Sequence, residues 1–275
     1  MDSRAIGVFD SGLGGLTVLK AIMELMPDED FVYFGDCGRM PYGEKTKETI
    51  VEYTLQNSRF LFEKDIKVLV IACNTSSAYA FDLVKREFDA PVFEVIGHGA
   101  RAGLAVTKNK RIGVIGTSAT IKSGAYARAI EGIDSEAEVF SKACPLFAPL
   151  VEEGKAWWDS EVAEGIARVY LEGFKEGGID TLVLGCTHYP LLKKAIRKAL
   201  GSEITLVDPA AGTALSVSRA LDECDMRTRR GKQRAVSLFT SGTRDSIGKF
   251  ASLSTFILEC GHEDIKVSTV DIEGY

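Results

Sequence analysis

Leu69-Val70-Ile71-Ala72-Cys73-Asn74-Thr75 is the stretch on which the reading of this chain turns: an apolar run that stops at a thiol and passes into polar residues fit to open a helix. A short apolar run without polar alternation suits a strand buried on both faces of a parallel sheet. Asn74, Thr75 and Ser76 are good helix N-caps. The thiol is therefore expected at the carboxyl end of a strand, where α/β proteins place ligands. It is also expected at a helix N-terminus, whose partial positive charge favours a thiolate.

The pattern occurs twice. Leu182-Val183-Leu184-Gly185-Cys186-Thr187 also runs into a cysteine, with Thr187 fit to cap and Pro190 suited to a first helical turn. Upstream of the first copy, Ile6-Gly7-Val8-Phe9-Asp10-Ser11 is matched by Ile112-Gly113-Val114-Ile115-Gly116-Thr117 upstream of the second. Two matched pairs in the same order predict two similar lobes, each with a strand that ends in a cysteine. Further strands are expected at Phe31–Phe34, Val92–Ile96 and Ile204–Val207, and helices at Leu16–Met26, Glu48–Glu63, Ala78–Phe88, Ser160–Glu176 and Leu191–Leu200. Strands alternating with helices imply βαβ units and a doubly wound α/β fold. The material after Val207-Asp208-Pro209 is expected to rejoin the first lobe. The expected division is 1–97 plus 209–275 for the first α/β lobe and 98–208 for the second.

Composition narrows the function. The chain has 275 residues, 45% of them hydrophobic and 26% charged, as in an ordinary globular protein with one large domain or two smaller ones. A net charge of −6 leaves no basic footprint for nucleic acid. The basic stretch Arg227–Arg234 is short, lacks interleaved aromatics and reads as a solvated loop. No signal peptide and no bilayer-length apolar run is visible, so a cytoplasmic protein without membrane contact is expected. The six cysteines, at 37, 73, 144, 186, 224 and 260, form no CxxC pair and no zinc spacing, so free thiols and no metal are expected.

Taken singly, each cysteine reads as a small buried hydrophobe; the matched pair Cys73 and Cys186 reads as chemistry. His188, two residues beyond Cys186, can serve or orient a thiol base. A Cys–His hydrolase is the rival reading, but it needs one cysteine and leaves Cys73 unexplained. The loop Asp10-Ser11-Gly12-Leu13-Gly14-Gly15 lacks the third glycine of a dinucleotide fingerprint, and Glu44 breaks a P-loop reading of Gly38–Thr46. Both loops can still offer backbone N–H groups to a carboxylate. Asp10, an unusual residue directly after a buried strand, is placed to orient an ammonium group or assist a base.

With these residues in view the chain resembles the glutamate racemase family, within the aspartate/glutamate racemases. The similarity covers nearly the whole chain. It is carried by Phe9–Leu19, Gly35-Asp36, Pro41-Tyr42-Gly43, Ala72-Cys73-Asn74-Thr75, Ile112–Thr117, Cys144-Pro145-Leu146 with Pro149–Glu152, and above all Gly185-Cys186-Thr187-His188-Tyr189-Pro190. The resemblance implies two pseudo-symmetric α/β lobes with glutamate bound in the cleft between them, no cofactor, a homodimer, and a role in supplying D-glutamate for peptidoglycan. It further implies that Cys73 and Cys186 are the catalytic thiols, assisted by Asp10, Glu152 and His188. Asp10, Ser11, Pro41, Tyr42, Gly43, Asn74, Thr75, Thr117, Thr187 and His188 would meet the substrate. The sequence departs from the family pattern at His98, at Pro209 and after Gly242, none of them a matched catalytic position. Inversion at an α-carbon without a cofactor needs a base on one face and an acid on the other. Two thiols in one cleft supply both, and amides and hydroxyls after Ser11, Asn74 and Thr187 are candidates to hold the carboxylate charge of the carbanion. A related substrate such as aspartate, and a non-catalytic pair of binding lobes, are the remaining alternatives.

Overall fold

A computed structural model describes residues 2–228 and 234–275. Its strands are β1 (Ala5–Asp10), β2 (Phe31–Gly35), β3 (Ile66–Ile71), β4 (Val92–Glu94), β5 (Arg111–Gly116), β6 (Glu138–Ala143), β7 (Thr181–Gly185), β8 (Thr205–Val207), β9 (Val236–Thr240) and β10 (Lys266–Thr269). They form two sheets, of order β10-β9-β2-β1-β3-β4 and β6-β5-β7-β8, and every pairing is parallel. The order 2-1-3-4 in the first sheet returns as 6-5-7-8 in the second. The sequence repeat is thus a repeat of topology: β1 matches β5, and β3 matches β7. The chain returns after residue 209 to add β9 and β10 beyond β2.

The central strands are the continuous apolar runs because both faces are covered. All of β3 and β7 is buried, and so is β1 from Ile6 onward. Lys67 is fully buried within β3, where its ammonium donates to Glu29 Oε2 (2.6 Å), to the carbonyls of Asp2 and Met226, and to Thr228. That bonding fits the rule that a buried charge must be paired. On the other side of the sheet, the helix Leu16–Leu25 buries Leu16, Val18, Leu19, Ile22 and Met23, packing on the helix Pro209–Glu223. Each such side chain contributes about 1.5–3 kcal/mol by leaving water. Pro209 itself fits the first turn of its helix, behind an Asp208 N-cap that accepts from Ala210 N at 3.1 Å.

Several boundaries differ from the sequence expectation. The strand expected over Val92–Ile96 stops at Glu94. There the Glu94 carboxylate accepts from the amides of Ile96 and Gly97 and starts the helix Ile96–Val106. The helix expected from Ala78 begins at Asn74. The segment after His188 is a 3₁₀ turn, Tyr189–Leu192, before the helix Lys193–Leu200. Of the basic stretch 227–234, residues 229–233 lie outside the described residues. Arg227 is not a free solvated cation: its guanidinium pairs with Asp222 at 2.6 Å and bonds Ser218.

In each sheet the chain runs from the central strand to one neighbour and then crosses to the other side. A crevice opens outside the carboxyl ends of strands at such a switch point. The first lies between β1 and β3, the second between β5 and β7. Asp10 ends β1, Cys73 follows β3, Thr117 follows β5 and Cys186 follows β7.

Candidate active site

Both crevices face one narrow cavity. Asp10, Ser11, Cys73, Asn74 and Thr75 reach it from the first sheet, with Pro41, Tyr42 and Gly43 from the loop after β2. Thr117, Cys186, Thr187 and His188 reach it from the second. Glu152 is not a lining residue and stands behind His188. Met40 and Ala148 also line the cavity and were not anticipated; their only sequence signal is that each precedes a proline.

Cys73 is itself the N-cap of the helix Asn74–Glu87, its sulfur accepting from Ser76 N at 3.5 Å. The sulfur takes the role expected of Asn74, Thr75 or Ser76. The expected thiolate character does not follow. Burial, and then the Asp10 carboxylate, push the Cys73 thiol up to about 12, against the smaller opposing pull of Ser76 and Ser11. A few helix amides are outweighed by full desolvation and a neighbouring anion.

Asp10 is fully buried. Its carboxylate accepts from Gly15 N (3.0 Å), Gly12 N (3.3 Å) and the Thr187 hydroxyl (3.3 Å). Thr187 thus serves Asp10 and does not cap the following helical turn. Burial raises the Asp10 carboxyl above its ordinary value, opposed by the charge of His188 and by the Gly15 amide. A raised carboxyl pKa means that the ionised form is disfavoured in the folded state, so Asp10 costs stability above that pKa. Asp10→Asn, which keeps an acceptor for Gly15, is therefore expected to raise Tm at neutral pH. The scale is about 2–4 °C per kcal/mol regained. Melting curves across pH check it: the gap should close as pH falls and the wild-type carboxyl takes up its proton.

Around Cys186 a relay is built. Cys186 Sγ lies 3.6 Å from His188 Nδ1, His188 Nε2 lies 2.7 Å from Glu152 Oε1, and the same oxygen accepts from Leu13 N at 3.0 Å. Burial disfavours a charged imidazole, but the Cys186 sulfur and the Glu152 carboxylate outweigh it and raise the His188 pKa well above 6.5. Gly14 lets the Asp10 loop press against this relay. A β-carbon there would sit 2.4 Å from Thr187 Oγ1 and 2.6 Å from His188 Nδ1.

The remaining wall is a set of hydroxyls and amides. Thr75 Oγ1 lies 2.9 Å from Thr117 Oγ1 and 3.1 Å from Thr120 Oγ1, while Asn74 Oδ1 accepts from Tyr126 (2.6 Å). Gly43 packs on Thr117, where an added β-carbon would come within 2.5 Å. The Tyr42 hydroxyl donates to Asp36 and accepts from Asn57 Nδ2 at 3.0 Å. Asp36 also holds Arg39 Nε (2.8 Å) and the Ser241 hydroxyl (2.5 Å). The sequence gives Asp36 no evident role, although it directly follows a buried strand, much as Asp10 ends one. Among the described residues no group of three His, Cys, Asp or Glu side chains is placed to hold a metal ion.

Two α/β units that share one cavity, with a cysteine at the same strand end of each, define the class of Asp/Glu/hydantoin racemases, whose family model matches residues 18–216. Within that class the chain belongs to the glutamate racemase family. It is 55% identical to the glutamate racemase of Geobacter metallireducens over 80% of this chain and 81% of the relative. It is 43% identical to that of Thermoanaerobacter pseudethanolicus over the full length of both. In structure it is similar to a glutamate racemase isoform from Bacillus anthracis, with a TM-score of 0.91 and 36% identity over 98% of each chain. The Francisella tularensis glutamate racemase, solved in complex with D-glutamate, superposes with a TM-score of 0.90 and 35% identity over all of both chains. The doubly wound α/β fold read from the sequence is the fold observed. Among the described residues no helix is long and apolar enough to cross a membrane.

Proposed function

We propose that this protein interconverts L- and D-glutamate by a two-base mechanism in which Cys73 and Cys186 exchange the α-proton without a cofactor. One observation carries the reading: the two cysteines occupy equivalent places in a repeated topology and line the same cavity. One thiolate removes the α-proton and the other thiol returns a proton to the opposite face. Asp10 assists Cys73, and His188 with Glu152 assists Cys186. Ser11, Pro41, Tyr42, Gly43, Asn74, Thr75, Thr117 and Thr187 hold the substrate, whose carboxylate gains charge as the carbanion forms. The choice of glutamate over aspartate is supported by the relatives' names and by the D-glutamate complex of one structural neighbour. The same reading makes residues 1–97 plus 209–275 one lobe and 98–208 the other. It makes the protein a cytoplasmic homodimer that supplies D-glutamate for peptidoglycan.

The test is direct. Pure protein incubated with L-glutamate should drive optical rotation to zero, with much slower change on L-aspartate. Exhaustive chelation, and omission of pyridoxal phosphate, should leave the rate unchanged. Activity lost to a chelator and restored by a metal would overturn the cofactor-independent mechanism. Faster turnover of aspartate would overturn the substrate.

A further inference from the structure

Ser76 is the third residue of the helix that starts from Cys73. It is fully buried, and its hydroxyl is the one buried side-chain nitrogen or oxygen among the described residues without a hydrogen-bond partner. Buried polar atoms are bonded as a rule, and an unmade bond is costly, so an isolated exception calls for a reason. Local backbone demand does not supply one. The neighbouring Ser77 hydroxyl is satisfied by donating to Ile71 O at 3.2 Å.

The position of Ser76 supplies the reason. A side chain at the third helical position reaches back toward the N-cap residue, and here the N-cap is Cys73. The Ser76 amide already donates to that sulfur. Its side chain lies near enough to favour the ionised sulfur, yet the hydroxyl makes no hydrogen bond as the site stands. We propose that Ser76 is a positioning residue whose hydroxyl turns onto the Cys73 sulfur when that sulfur ionises, extending to lower pH the range in which Cys73 deprotonates the D-enantiomer. The inference rests on the two-thiol reading above.

The chemistry balances without another reactant. The Cys73 thiolate takes the α-proton of the D-enantiomer, an S–H bond forms as the C–H bond breaks, and the electron pair stays on the substrate. The Ser76 donor supports the sulfur before that transfer and is released after it. A hydrogen bond to the charged form favours that form. For a thiol that burial holds far above neutral pH, a larger thiolate population outweighs the small loss of basicity. The titratable groups that face Cys73 are Asp10 at the end of β1, Tyr33 on β2, Tyr42 after β2, and Cys186 and His188 across the cavity. Ser76→Ala changes none of them.

The experiment uses the full chain, Ser76→Ala, and one diastereomer of 3-chloroglutamate in its D and L forms. This analogue keeps both carboxylates and loses chloride from Cβ once the α-proton is removed, so no return proton is needed. Chloride release is followed against pH, and Tm is measured. For the D-enantiomer the rising limb should move up by about one pH unit, with about tenfold slower release below it. The L-enantiomer profile should not move, and Tm should be unchanged or higher, because an unbonded buried hydroxyl has been removed. An unmoved D profile, an equal shift for both enantiomers, or a lowered Tm overturns the inference. If Cys73→Ser releases chloride from the D-enantiomer as fast as the wild type, the two-thiol reading falls and takes this one with it. An unmoved Ser76→Ala profile beside an inactive Cys73→Ser overturns the role of Ser76 alone.

Discussion

Cys73→Ser and Cys186→Ser are each expected to lose racemisation in both directions by about 10³-fold or more, yet each should keep elimination chemistry on one enantiomer. In the proposed two-thiol mechanism racemisation needs both groups in each turnover, one as thiolate and the other as thiol. A serine hydroxyl at either place is a far weaker base and poorly matched in pKa to the transfer. Reversing the direction of reaction only exchanges the roles, so no direction is spared. Elimination from a 3-chloro analogue differs because it ends once the proton is removed and chloride departs. With Cys186 beside His188 assigned to the L-enantiomer and Cys73 beside Asp10 to the D-enantiomer, Cys73→Ser should process the L-analogue and Cys186→Ser the D-analogue. Chloride release from each enantiomer by each variant is the measurement. Equal losses on both enantiomers in both variants would sink the assignment, and so would a variant that racemises glutamate at a near-normal rate.

What the sequence made legible follows burial. β1, β3, β5 and β7 are covered on both faces, so each carries a readable apolar run, in β3 from Val68 onward, past the buried Lys67. β6 carries the pattern Glu138-Val139-Phe140-Ser141-Lys142-Ala143 at the edge of its sheet, largely exposed, and no apolar run marks it. β9 alternates, and β10 is mostly exposed at the opposite edge of the other sheet. The helix Ile96–Val106 carries Gly97-His98-Gly99 in its first turn, poor helix formers in isolation. It is started by the Glu94 carboxylate and held by burial of Ile96, Gly99, Ala100 and Gly103.

The cavity residues named from the sequence arrive together because the duplicated strand–cysteine pattern places both switch points at one cleft. Their electrostatics were less legible. A helix N-terminus suggested a thiolate at Cys73, but its complete desolvation and the facing Asp10 are facts of tertiary structure that no local pattern announces. The same holds for Asp36, which acts on Tyr42 only because β2, the loop after it and β9 meet in space.

His188→Asn should slow elimination from the L-analogue by about 10²-fold, in the range of a lost acid/base partner, and leave the D-analogue nearly untouched. Asparagine keeps a polar group near Cys186 but carries no charge and breaks the link to Glu152, so electrostatic support of the sulfur is lost. Glu152→Gln separates these effects. The amide oxygen can still accept from Leu13 N and from the imidazole, so the geometry persists while the negative charge goes. The His188 pKa should then fall back toward its ordinary value, and alkaline loss of L-side activity should begin at lower pH than in the wild type. The sign for stability follows from the same shift. A histidine whose folded pKa is raised contributes stability that is complete below the unfolded value near 6.5 and is lost as pH rises through the folded value. The Tm advantage of the wild type over Glu152→Gln should therefore be largest near pH 6.5 and shrink toward alkaline pH. A Tm gap that widens with pH, or an L-side profile unmoved by Glu152→Gln, would show that His188 is held neutral and that Cys186 draws no support from an imidazolium.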